Sequence, residues 1–207
     1  METRYTILRR VYSGALLVIW IIAPYALLQQ VTIREVIWVQ PTAFDQAIAV
    51  NFYSVWVYLS LYPLLGWTGL GVERPVYLRY LLTIGWVTLV SHMVFLFFPS
   101  GVSRDVLEGM DTPVVYEWLA FLDRPRNAFP SLHASLSIIA GIAISASKRY
   151  PVVVKVLTWL WVLAIFWSTI ALRQHYAWDL ISGTILAVVV WGIVGCWKGR
   201  QNFCGGF

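Results

Sequence analysis

Asn127-Ala128-Phe129-Pro130-Ser131-Leu132-His133 leads directly into an apolar run that ends near Ser147, and Arg173-Gln174-His175-Tyr176-Ala177-Trp178-Asp179 leads into another that ends at Trp197. Each polar piece sits where a segment of bilayer-crossing character begins, and together they hold two of the chain's three histidines. Ionisable side chains at membrane depth are costly and mark functional interiors. Fold and chemistry are therefore read from the same two places.

The 207 residues are 59% hydrophobic and 12% charged, against the roughly 25% charge of a soluble domain. Six apolar runs approach the roughly 20 residues that a bilayer requires: Val11–Leu28, Phe52–Gly71, Tyr80–Phe98, Ser131–Ser147, Val156–Leu172 and Trp178–Trp197. The expectation is an all-α polytopic membrane protein, one membrane-embedded domain over residues 1–207 with six transmembrane helices. Pro63 and Gly66 break the second run, and the fourth and fifth are short. The first run lacks a small-x-small exit and is read as a span rather than a signal peptide. Trp67, Tyr80, Tyr150, Trp159, Tyr176, Trp178 and Trp197 fall near run ends, as interfacial aromatic belts do. Cys196 and Cys204 suggest neither a disulfide framework nor a metal site, and no cofactor is called for.

Six spans place both termini on one side, with the loops around 72–79 and 148–155. That side carries ten basic residues and two acidic ones, the other five and eight. The excess of Lys and Arg makes the termini cytoplasmic and turns both histidine motifs outward. The net charge of +5 thus reports topology and needs no nucleic-acid partner. All three lysines are on the inner side. The outward arginines Arg104, Arg126 and Arg173 border the motifs and suit bidentate phosphate binding. Arg124 is read equally well as a solvated loop charge. In the outward segment 99–130, Val114, Val115, Trp118, Leu119 and Leu122 recur at helical spacing after the Thr112-Pro113 start signal, which predicts a short interfacial helix. Segment 29–51 could also lie along the interface. Asn202–Phe207 read as a frayed tail.

Pro130 and Ser131 open a helix whose free N–H groups and dipole favour an anion. Ser131 either caps that helix or donates to a phosphate oxygen, and His133 falls in its first turn. His175 and Asp179 are four apart and share a face if one helix includes both. The carboxylate would then fix the imidazole tautomer and leave the other nitrogen free to attack. A structural His–Asp pair is the plainer alternative. His92, inside the third run, is read as a core histidine.

Phe129-Pro130-Ser131-x-His133, followed by Ser168-Thr169 and Arg173-Gln174-His175-Tyr176-x-x-Asp179, resembles the type 2 phosphatidic acid phosphatase superfamily. It is most similar to the branch of inositol phosphorylceramide synthase-like enzymes, over roughly residues 45–195. The resemblance implies a six-helix membrane core with an outward active site. His175 would be the nucleophile forming a phosphohistidine, Asp179 its orienting partner and His133 the general acid, with Ser131 and Arg173 holding the phosphate. The superfamily's Lys-x6-Arg-Pro motif is absent, since Trp67 and Glu117 stand where its lysine should be. Arg104 is the best substitute. The arginine expected six residues before the nucleophile is Thr169, and Arg173 supplies that charge from closer in.

The expected function is an integral membrane lipid phosphatase that hydrolyses a lipid phosphate or pyrophosphate at the extracytoplasmic face. The alternative is a phosphotransferase passing a phospho-headgroup to a lipid hydroxyl. A transporter or scaffold with structural histidines is the non-enzymatic reading. The compact chain suggests a bacterial inner membrane, with the site toward the periplasm or exterior.

Overall fold

The structure, a computed structural model, describes residues 4–30 and 33–204, and the side chains of 6–30 and 33–197. It is mainly helical: α1 (Arg4–Leu28), α2 (Ala43–Ala47), α3 (Val55–Leu59), α4 (Leu61–Gly71), α5 (Arg74–Phe97), α6 (Val114–Leu122), α7 (Leu132–Ala146), α8 (Val152–Ala171) and α9 (Ala177–Cys204). Two short strands, β1 (Ile37–Val39) and β2 (Ser100–Val102), pair in parallel. The sequence reading had no strands. Three-residue strands carry too few positions for alternation to show.

Among the described residues four helices, α1, α5, α8 and α9, are long and apolar enough to cross a membrane, where six spans were expected. The second run is split at Ser60 into α3 and α4. Pro63 explains the position: it has no N–H to give to residue 59, and its ring collides with that carbonyl. Gly66, read as a further break, lies within α4. The fourth run, α7, has 15 residues and so extends about 22 Å. At the tail, Asn202 to Cys204 continue α9 rather than fraying, while residues 205–207 lie outside the described residues.

α7 is the centre, packed on α4, α5, α8 and α9, while α1 lies against α4 and α5. Its sequence, LHASLSIIAGIAISA, is rich in small residues, which let membrane helices approach closely. A Cβ at Gly183 of α9 would come within 2.3 Å of the Ser131 carbonyl. Ser135 instead donates its hydroxyl to the Gly183 carbonyl at 2.9 Å. Ile139 of α7, Val87 of α5 and Ile165 of α8 belong to the same core cluster and are fully buried.

At the end remote from the histidines, basic side chains close helix C-termini, whose last carbonyls lack partners of their own. Arg10 donates to the carbonyls of Gly69, Leu70 and Val72, and Lys155 to that of Ser145. Glu73, between α4 and α5, accepts from the Ser147 hydroxyl and the Lys148 N–H. Burial alone would push its carboxyl up, but those hydrogen bonds prevail and hold it below its ordinary value. The short helix foreseen after Thr112 is α6, capped one residue later, at Pro113. Tyr116 and Leu119 face inward, and Val114, Trp118, Phe121 and Leu122 stay exposed.

Candidate active site

The two motifs meet because their helices start side by side. The Ser131 N–H donates to the Asp179 carbonyl at 3.1 Å, which joins the head of α7 to the head of α9. β2 fixes both from outside: Ser100 accepts from Ala128 N–H and Phe129 N–H, and Tyr176 donates its hydroxyl to the Ser103 carbonyl. Gly101 is needed in that strand, since a Cβ would lie 2.6 Å from the Pro125 carbonyl.

His133 and His175 come together with ring centroids 6.0 Å apart. Asp179 is fully buried, and its Oδ2 is 3.7 Å from His175 Nδ1. The pair would share a helix face only if one helix included both. Instead α9 begins at Ala177, and His175 stands in the turn before it, where the Thr169 carbonyl accepts from Gln174 N–H and His175 N–H. Asp179 Oδ2 also accepts from Tyr176 N–H at 2.9 Å, so the carboxylate caps the helix and faces the imidazole at once. Ser131 Oγ accepts from Ala134 N–H at 3.2 Å; its capping role is visible in the fold.

The arginines occupy different positions. Arg104 donates to the Asp123 carbonyl and, at 2.6 Å, to Gln174 Oε1, which places it beside the residue preceding His175. Arg173 has φ 54°, the left-handed conformation that ends many helices. Its terminal nitrogens donate to the carbonyls of Asp45 and Ile48. Arg126 bridges to Gly101 through the backbone. Arg124 is exposed. His92 is buried in α5 beside Phe95, 6.2 Å between ring centroids, and takes no part in the pair.

Several groups here had no local signal. Asp123, the C-cap of α6, accepts from the hydroxyls of Tyr25 and Tyr58 and from the Gln29 amide. Tyr58 stacks on His133 with centroids 4.0 Å apart, and Tyr62 meets it edge-on. Asp45 is fully buried and accepts from Ala177 N–H at the start of α9. Their partners lie from 65 to 132 positions away. A tyrosine in the middle of an apolar run, an acid at a helix end and the Thr42-x-x-Asp45 spacing of a capping box are the hints the sequence holds.

Buried polar atoms are normally partnered. Among the described residues, Arg104 Nε, Asn127 Nδ2, Arg173 Nε, His133 Nε2, His175 Nδ1 and Asp179 Oδ1 are buried and have no hydrogen-bond partner. Guanidinium and amide donors of this kind suit an oxyanion with several acceptor atoms, such as a phosphoryl group.

No solved structure matches this chain. The inositol phosphorylceramide synthase catalytic subunit of Saccharomyces cerevisiae is 33% identical over 66 residues, which is 31% of this chain and 15% of that protein. The chain thus matches a small part of that relative's length. The PAP2 superfamily profile covers much more, residues 25–193, and so includes both histidine motifs and the helices that carry them. The chain therefore belongs to the PAP2 superfamily, and that membership supports phosphoryl-transfer chemistry on a lipid, as phosphatase or phosphotransferase.

Proposed function

We propose that the protein is a lipid phosphatase working through a phosphohistidine on His175. The observation that carries this reading is the juxtaposition of two imidazoles, 6.0 Å between centroids, with the Asp179 carboxylate behind one of them. His175 turns Nδ1 toward Asp179, which leaves Nε2 as the nucleophile. The 3.7 Å gap is of the kind that closes when substrate binds. Nε2 forms the N–P bond as the P–O bond to the lipid breaks, and His133 gives the leaving oxygen its proton. Water then attacks phosphorus, returns a proton to His133 and releases phosphate from His175. Ser131, Arg173, Arg104 and Arg126 hold the phosphoryl oxygens, and the unpartnered Nε–H groups of Arg104 and Arg173 are the donors we assign first.

A lipid substrate is supported by the surroundings. A largely apolar cavity of about 270 Å³ runs between α1, α4 and α5 from Arg10 to Tyr62, and Tyr62 touches His133 edge-on. A hydrocarbon chain there would have its phosphate at the histidines. The exposed apolar face of α6 fits a helix lying on the bilayer surface. The site would face away from the basic, cytoplasmic end. The likeness to a synthase subunit favours a second reading, in which a lipid hydroxyl replaces water as acceptor.

Purified protein in detergent, given polyprenyl phosphates, phosphatidate and phosphatidylglycerophosphate, is expected to release phosphate. His175→Ala is expected to lose activity by several orders of magnitude, as when other catalytic nucleophiles are removed. Undiminished release from His175→Ala would refute the mechanism. Turnover only when an acceptor lipid is added, without free phosphate, would establish the second reading.

A further inference from the structure

We propose that Asp123, acting through Tyr58, is a positioning residue that fixes the tautomer of His133 and stabilises its protonated form. The inference rests on the reading of His133 as the group that moves the proton. Its starting point is the number of hydrogens available. Three donors converge on Asp123: the Tyr25 hydroxyl at 2.6 Å and the Gln29 amide at 3.2 Å on Oδ1, and the Tyr58 hydroxyl at 2.7 Å on Oδ2. A carboxyl group surrounded by donors serves as acceptor only, as an ionised carboxylate does. Tyr58 has one hydroxyl hydrogen, and it points to Asp123.

The Tyr58 oxygen also lies 3.3 Å from His133 Nδ1. With its hydrogen committed, that oxygen accepts, so Nδ1 carries a proton whether the ring is neutral or charged. The proton in play is then the one on Nε2, the nitrogen that is buried and has no protein partner. Neutral His133 is a base at Nε2, and cationic His133 is an acid at the same atom. In the first step the Nε2 proton passes to the departing lipid oxygen, and in the second a proton from water replaces it. The Nδ1 proton stays throughout. The imidazolium is stabilised by a carboxylate one hydroxyl away, in surroundings where such chains of hydrogen bonds are strong. Tyr58 is fully buried and stacked on the ring, so the alignment is held by packing. The other titratable groups facing His133 are Tyr62 from α4 and His175 from the turn before α9.

Tyr25 supplies the control, because it binds the same carboxylate but is not in the chain to His133. The test is kcat/KM against pH for the wild type, Tyr58→Phe, Asp123→Asn, the double variant and Tyr25→Phe. Tyr58→Phe and Asp123→Asn should each lose about tenfold to a hundredfold, part of the roughly 10²–10⁴ that a positioned acid or base supplies. The limb belonging to His133 should move to lower pH in both, since the imidazolium is no longer stabilised. The double variant should be no worse than the worse single, as for residues that act as a unit. Tyr25→Phe should leave the limb in place. An unmoved limb in Tyr58→Phe, additive losses, or an equal shift in Tyr25→Phe would overturn the proposal. Should Asp123→Asn fail to fold, Tyr58→Phe, which removes one oxygen, decides alone. Quenching in alkaline denaturant with phosphate-labelled substrate, which preserves the acid-labile P–N bond, separates the two levels. No phosphohistidine in the wild type overturns the proposed function, whereas a trapped phosphohistidine with an unmoved limb overturns only the relay.

Discussion

Asp45 binds together stretches of chain that are distant in sequence. Its carboxylate accepts from the N–H and hydroxyl of Thr42 and from Ala177 N–H, and its carbonyl accepts from Arg173. Asp45→Ala strands the Ala177 donor at a buried helix start, a loss of about 1–3 kcal/mol. Asp45→Asn keeps one acceptor oxygen and should lose less. Thermal melts in detergent check the order, and equal melts for both variants would show that the cap contributes nothing. In the sequence Asp123 is one outward acid among eight, because its side-chain partners are remote; Asp45 has a local signal in the Thr42-x-x-Asp45 capping box, but its link to Ala177 has none. Ser131, His133, His175 and Asp179 could be singled out because short motifs at helix starts hold them. What the motif could not give was that His175 stands outside the helix that Asp179 caps.

At the scale of elements, the α7–α9 seam has no slack where Gly183 passes Ser131. Gly183→Ala forces the helices apart by a Cβ that would sit 2.3 Å from a carbonyl, and overpacking of this kind costs about 1–3 kcal/mol. The carbonyl belongs to the residue that caps α7, two positions before His133, so activity should fall with stability. Gly192 of α9 has open space at its Cβ position. Gly192→Ala should be neutral or stabilising by up to about 1 kcal/mol, the helix preference of alanine over glycine. Melting and phosphate release measured on both variants test the contrast, and it fails if Gly183→Ala behaves like Gly192→Ala. Long helices were legible because hydrophobic length marks them without help. Pro63 and Gly66 signal a break in the second run, but the helix parts at Ser60, because a proline disrupts the turn before it. β1 and β2 left no mark, since they are held mainly by their pairing with each other.

Across the whole molecule, charge separates two working ends. The basic end, inferred from the lysine and arginine census, is where Glu73 links the α4–α5 turn to Ser147 and Lys148. Because the folded protein holds the Glu73 carboxyl below the ordinary 4.5, the stability it contributes is complete above that value. It disappears as pH falls through the lower folded value. As pH falls below the ordinary 4.5 the wild type should therefore lose melting temperature faster than Glu73→Gln. Parallel slopes would show that the link contributes no stability. α7 gives the architecture a further property. It is shorter than the roughly 30 Å hydrocarbon layer, but its neighbours enclose most of it, so lipid chains press mainly on α1, α5, α8 and α9. A thinner or thicker bilayer is met by the tilt of those outer helices. The helix that carries His133 meets that load only second-hand, through the helices packed on it, like an axle inside its housing.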